Sequence, residues 1–234
     1  MVVVAASAVF WIPIAPFLVP GAGEETLGAA TVRLALLETS NEKAVEYVLR
    51  LRPDIVVIAD PSAPRRDHSA DLADAYPVRL ALSQAGGPII LARQGFDVQP
   101  DVGGAPDLLR AHVVHERQSF DLAVVHLDRP WPLGPASSPA AQLAARLAGD
   151  TQRLVLVGDF NRSPWTTDMK QLREALHVSA KAPPATWPTW LPRPLRLPLD
   201  LVLVGGDLGV RGLTTGPSLG SDHLPIIANI ALQP

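Results

Sequence analysis

The chain has 234 residues, 47% of them hydrophobic and 18% charged, which is enough for one large domain with a substantial core. A formal net charge of −3 excludes a global basic field for gripping a nucleic-acid backbone and leaves only local pairs, Arg65/Arg66 and Arg193/Arg196, for which ordinary solvated loop charge is the simpler reading. The absence of cysteine excludes disulfides, thiolate chemistry and cysteine-based zinc sites.

The first 23 residues carry no charged side chain. Residues 2–19 form an apolar stretch near the lower length limit for crossing a bilayer. Pro13, Pro16 and Pro20 interrupt it and no Lys or Arg precedes it, so a tail packed on the domain, or a start-site artefact, is the competing reading. The expected division is a membrane anchor over 1–20, a Gly/Ala-rich linker over 21–30 and one domain over 31–234.

The domain opens as strand, helix, strand. Residues 32–37 read as a strand, and 41–51 as a helix with Ala44, Val45, Val48 and Leu49 on one face. Pro53 ends that helix before a buried strand at 55–58. Further strands are expected at 79–82, 89–92, 112–115, 122–127, 154–157, 201–204 and 226–230, with helices at 139–148 and 167–176. Residues 183–198 hold six prolines with Trp187, Trp190, Arg193 and Arg196. This segment is either a substrate-facing wall of aromatic and cationic groups or a rigid connection whose tryptophans cover the core.

Two short motifs carry chemistry. The apolar run 154–157 ends in Gly158-Asp159-Phe160-Asn161. In extended chain Asp159 and Asn161 point the same way while Phe160 packs on the opposite side. Near the C-terminus, Ser221-Asp222-His223 precedes the last strand. Asp holds a divalent cation through oxygen and His exchanges protons near neutral pH, a pairing suited to metal-assisted hydrolysis. A nucleotide-binding module of another fold is disfavoured, because no Gly-x-Gly-x-x-Gly follows a strand and no Gly-Lys-Ser/Thr loop occurs. Ser137, Ser138 and Ser163 lack the glycine-flanked elbow of a serine hydrolase.

With Arg52-Pro53-Asp54-Ile55-Val56-Val57-Ile58, Ile89-Ile90-Leu91-Ala92-Arg93, Val124-Val125-His126-Leu127 and Asp200-Leu201-Val202-Leu203, these motifs stand in the order found in one superfamily. Over about residues 32–230 the chain resembles the endonuclease/exonuclease/phosphatase superfamily, the metal-dependent phosphodiesterases related to DNase I, and within it the membrane-anchored bacterial branch. The resemblance implies an α/β fold, a four-layer α/β/β/α sandwich with two mixed, mainly antiparallel sheets. It implies that Asp159 orients or activates water, that Asn161 hydrogen-bonds the phosphoryl group, and that His223, held by Asp200, contacts the phosphate or shares its proton. His126 then approaches the phosphate or leaving group, and Asp222 faces the metal, expected to be Mg²⁺, Mn²⁺ or Ca²⁺.

Three positions depart from the family pattern. Leu36 stands at or near the position of an asparagine ligand, Asp60 replaces a glutamate, and Leu201 follows Asp200 where relatives place a polar residue. Glu38, two residues beyond Leu36, joins Asp60 and Asp222 as a candidate ligand. The implied function is a divalent-metal-dependent phosphodiesterase, nuclease or phosphatase acting on a small molecule, a lipid headgroup or nucleic acid. The alternative is a degenerate relative that binds a phosphorylated ligand or partner. The implied location is an extracytoplasmic domain on a membrane anchor, with a cytoplasmic or secreted protein as the alternative.

Overall fold

The computed structural model describes residues 30–61, 68–82, 87–101, 108–129, 139–149 and 153–233. The expected anchor, nearly all of the linker, and Arg65 and Arg66 lie outside these residues. Among the described residues no helix is long and apolar enough to cross a membrane.

In chain order the elements are β1 (Ala30–Leu37), α1 (Glu42–Leu51), β2 (Ile55–Ile58), β3 (Val78–Ala81), β4 (Ile89–Ala92), β5 (Phe96–Pro100), β6 (Leu108–His115), β7 (Gln118–His126), α2 (Pro139–Leu147), β8 (Leu154–Asp159), α3 (Thr167–Ala175), β9 (Val178–Ala180), β10 (Asp200–Gly205), β11 (Leu208–Thr215) and β12 (Ile226–Leu232). They form two six-stranded sheets, ordered β11-β12-β1-β2-β4-β3 and β5-β6-β7-β8-β10-β9. Each sheet holds one parallel pair at its centre, β1/β2 in the first and β7/β8 in the second, and its other pairs are antiparallel. A helix makes each parallel crossover, α1 for the first and α2 for the second, as parallel strands require.

Alternation along the strands builds the layers. Leu34, Leu36, Val57, Val124, Val157 and Val202 meet between the sheets in the central core. Their neighbours of opposite parity face outward, Val56 and Ile58 under α1 and Leu156 and Leu203 under α2 and α3. The result is the four-layer sandwich that the sequence implies. Helix α1 starts where the Asn41 side chain accepts from the Ala44 N–H at 3.0 Å, and it stops at left-handed Arg52, φ 51°. Ala44, Val45 and Val48 bury as expected, whereas Leu49 is 44% exposed, because the packed stripe is narrower than its apolar sequence.

Candidate active site

The register places the chemistry at one end of the sandwich. Asp159 at the end of β8 pairs with His126 at the end of β7 and with Asp200 at the start of β10. Paired residues project to the same face of a sheet. All three share parity with core residues, His126 with Val124, Asp159 with Val157 and Asp200 with Val202, so they form a polar row at the mouth of the inter-sheet core. The opposite sheet supplies Glu38, just beyond the end of β1, and His223, just before β12. Leu36 pairs with Ile226, which sets those two side chains at the same end.

Gly158 makes the row possible. Its φ is +145°, and a Cβ there would collide with the Val125 carbonyl oxygen of the neighbouring strand. The chain then turns sharply, so Asn161, unlike Asp159, is not placed by strand alternation as expected. Asn161 adopts φ 51° and donates its N–H to Asp159 Oδ1 at 2.7 Å, the local turn that an Asp side chain favours. The Asn161 amide nitrogen donates to the Leu127 carbonyl at 2.8 Å, tying the two strand ends together. Phe160 packs fully buried on the helical side, as expected.

With Oδ1 committed to the turn, Asp159 Oδ2 is the oxygen that faces the site. His126 Nε2 and His223 Nε2 each stand 3.9 Å from it. His223 Nδ1 shares a hydrogen with Asp200 Oδ2 at 2.8 Å, and the Thr186 hydroxyl donates to that same oxygen. This fixes the imidazole with Nε2 toward Asp159. Burial lowers the His223 pKa, but the hydrogen bond to Asp200 and the charges of Asp200, Asp159 and Asp222 outweigh it and hold the imidazole above its usual value. Burial and the charge of Asp200 push Asp159 up to about 7. Burial, followed by the charges of Asp200, Asp159 and Asp60, raises Glu38 well above the carboxylate range.

Glu38, His126 and Asp159 offer ligand atoms within 4.8 Å of one another, as do Asp159, Asp200 and His223. Glu38 Oε1 and Asp200 Oδ1 are buried without a hydrogen-bond partner. Three buried carboxylates therefore face one buried histidine, and two of their oxygens lack a donor. Crowded oxygens short of positive charge are the donor set a hard divalent cation satisfies, so the residues fit such an ion.

On this side the candidate residues separate. Leu36 is 1% exposed within the core, so the position of β1 that faces the site is Glu38. Asp222 joins neither triad. It is half-exposed, accepts from the Trp187 indole N–H at 3.0 Å and lies 3.8 Å from Arg129. Asp60 acts on Glu38 through its charge without entering either triad. Leu201 is buried on the helical side, which removes it from the site.

The model of the endonuclease/exonuclease/phosphatase family matches residues 33–223. The chain belongs to this family. No curated protein matches it. Among solved structures, the human Nocturnin catalytic domain with bound sulfate superposes with a TM-score of 0.68 at 17% identity, covering 87% of this chain and 94% of that one. An endonuclease/exonuclease/phosphatase from Bacteroides vulgatus gives 0.67 at 14%, covering 87% and 100%. D. rerio TDP2 complexed with a single-strand DNA product gives 0.59 at 14%, covering 86% and 99%. At these identities the likeness shows the DNase I-like fold of the family.

Sequence reasoning missed Thr186, Arg129 and Arg162. Buried Arg162 donates to the Phe160 and Asp128 carbonyls at 3.1 Å and pairs with Asp168 at 3.0 Å, bracing the turn that holds Asn161. The only signal was an arginine directly after an apolar-flanked motif. Thr186, in a loop 14 residues from the Asp200 it holds, gave none.

Proposed function

We propose that the chain is a divalent-cation-dependent phosphoester hydrolase. The observation that carries this is Asp159 Oδ2 with two imidazole nitrogens, each 3.9 Å away, in a site where Glu38 Oε1 and Asp200 Oδ1 are buried without a partner. Glu38 Oε1 and Asp200 Oδ1 would hold the cation with Asp60 nearby, and when bound it would supply positive charge against the phosphoryl oxygens. Asp222 would then act at the rim rather than as a ligand.

Asp159 Oδ2 takes a proton from water as the water oxygen bonds to phosphorus. His223 Nε2, positioned by Asp200 and Thr186, hydrogen-bonds the phosphoryl oxygen, and the second amide hydrogen of Asn161 does the same. The bond to the leaving oxygen breaks, and His126 Nε2, as general acid, passes a proton to that oxygen. Both histidines flank one carboxylate, so the nucleophile and the phosphate share one small volume.

The competing reading, a relative that binds without turnover, rests on the three departures at Leu36, Asp60 and Leu201. Glu38 in the site supports the hydrolase instead. The test is turnover of bis-p-nitrophenyl phosphate with Mg²⁺, Mn²⁺ or Ca²⁺, alongside calorimetric titration of each ion. Absence of both turnover and millimolar cation binding overturns the proposal. The apolar residues 2–19 support attachment to a membrane, tested by whether deleting residues 1–29 releases the chain from the membrane fraction.

A further inference from the structure

We infer that Trp190 is a stacking platform for a planar ring on the substrate's phosphoester, which makes a nucleotide-type ester the preferred class. The inference rests on the hydrolase reading above and names its substrate. Among the described residues the exposed large hydrophobic side chains are Leu49, Trp190 at 76% and Leu195 at 61%. Two of these three lie on the loop that carries Thr186 and Trp187 into the site.

The loop around Trp190 is braced. Arg196 Nε donates to the Leu191 carbonyl at 2.8 Å and Arg196 Nη2 to the Thr189 carbonyl at 2.9 Å, so one guanidinium pins both neighbours of the tryptophan. Thr189 donates its N–H to the Asp222 carbonyl at 2.8 Å and its hydroxyl to the Ser221 carbonyl at 3.2 Å. The tryptophan is therefore fixed one residue from the segment that carries His223. Trp187, three residues earlier on the same loop, lies 6.3 Å from the His223 ring.

A large apolar face held open to water by a rigid loop has its ordering cost already met when a ligand covers it. The surroundings select the ligand. Arg193 is exposed in the adjoining turn, and Arg129 lies 3.8 Å from Asp222, the carboxylate that also accepts from the Trp187 indole. An exposed flat apolar face with an exposed guanidinium three residues on, at Arg193, suits an anion that carries a ring. A membrane interface is the competing occupant. The direct attachment of the tryptophan's loop to the Ser221–Asp222 backbone favours a group esterified to the phosphate undergoing attack.

The test uses the full chain and two esters that release the same p-nitrophenolate, the p-nitrophenyl ester of thymidine 5′-phosphate and methyl p-nitrophenyl phosphate. Trp190→Ala should raise KM about tenfold for the thymidine ester, leave kcat within about twofold and leave the methyl ester unchanged, while Trp190→Phe restores most of the loss. Equal changes for both esters, or none for either, overturn the inference. Release of Trp190→Ala from phosphatidylcholine/phosphatidylglycerol vesicles, with KM unchanged, assigns the tryptophan to a membrane and also overturns it. If wild type cleaves neither ester, the hydrolase reading fails. The platform is then judged by anisotropy with a labelled thymidine oligonucleotide: about tenfold weaker binding by Trp190→Ala supports it, and unchanged binding overturns it.

Discussion

The two central βαβ units, β1-α1-β2 and β7-α2-β8, share one topology and end at the same mouth, yet they finish in opposite ways. In the second unit nearly every polar group is met: Asn161 by Asp159 and Leu127, Arg162 by Asp168 and two carbonyls. The first unit delivers Glu38 with a partnerless buried oxygen among the charges of Asp200, Asp159 and Asp60. One side of the mouth is preorganised by the chain itself. The other is left electrostatically incomplete, and the proposed cation would complete it.

The largest expected effect strikes the finished side. Asp159→Asn should lower kcat by about 10² to 10⁴-fold while the ion-free melting temperature holds or rises, because a buried carboxylate is neutralised. A change below tenfold would remove Asp159 from the chemistry. Gly158→Ala, forced against the Val125 carbonyl at an unfavourable φ, should cost about 3 kcal/mol in urea titrations, with Arg162→Ala close behind at about 2 kcal/mol.

On the unfinished side the signs reverse. Glu38→Gln should raise ion-free stability and weaken Mn²⁺ binding about tenfold or more by calorimetry. A destabilised variant with unchanged affinity would show that Glu38 is structural. Protons should report the same asymmetry. Asp159 has its pKa raised to about 7 from 3.8, and Glu38 is raised too, so as pH climbs from about 4 to 7 the unfolded chain loses these protons first and stability falls. His223, raised above 6.5, adds stability below that value which is lost as pH passes its folded pKa, so its sign is the same. In EDTA the protein should melt lower at about pH 8 than at about pH 5, and saturating divalent cation should flatten the difference. A higher melting point at the alkaline end would contradict the charge-crowded site. Least of all, Arg129→Ala, removing one half of an exposed pair, should shift stability by less than about 0.5 kcal/mol.

The same contrast explains what the sequence disclosed. Strands β2 and β4 are legible to the residue because they are buried on both faces and read as unbroken apolar runs. Strands β5, β9 and β11 escaped notice: β5 is a mostly exposed edge ending in Pro100, β9 has three residues, and β11 is an edge strand with two glycines. At the site, Asp159, Asn161 and His223 announce themselves because local turns and strand ends hold them. The partners that orient them, Thr186 and Arg162, act across the fold, and so does the contact that draws Asp222 toward Trp187. Leu36 and Glu38 share one strand face, which made Glu38 legible as a candidate; what separates them is the end of β1 at Leu37, beyond which that face leaves the core and meets the site.

Ala30 at the start of β1 pairs with Leu232 at the end of β12. Since β1 runs from there to Glu38, the chain enters and leaves the sandwich at the pole opposite the mouth, about 25 Å away by strand length. The domain is thus built like a lamp on a bracket: a surface, a tether or a fused protein joined next to residue 30 or residue 232 leaves the working face directed outward. For a sensor or an immobilised reagent, either end serves as the point of attachment.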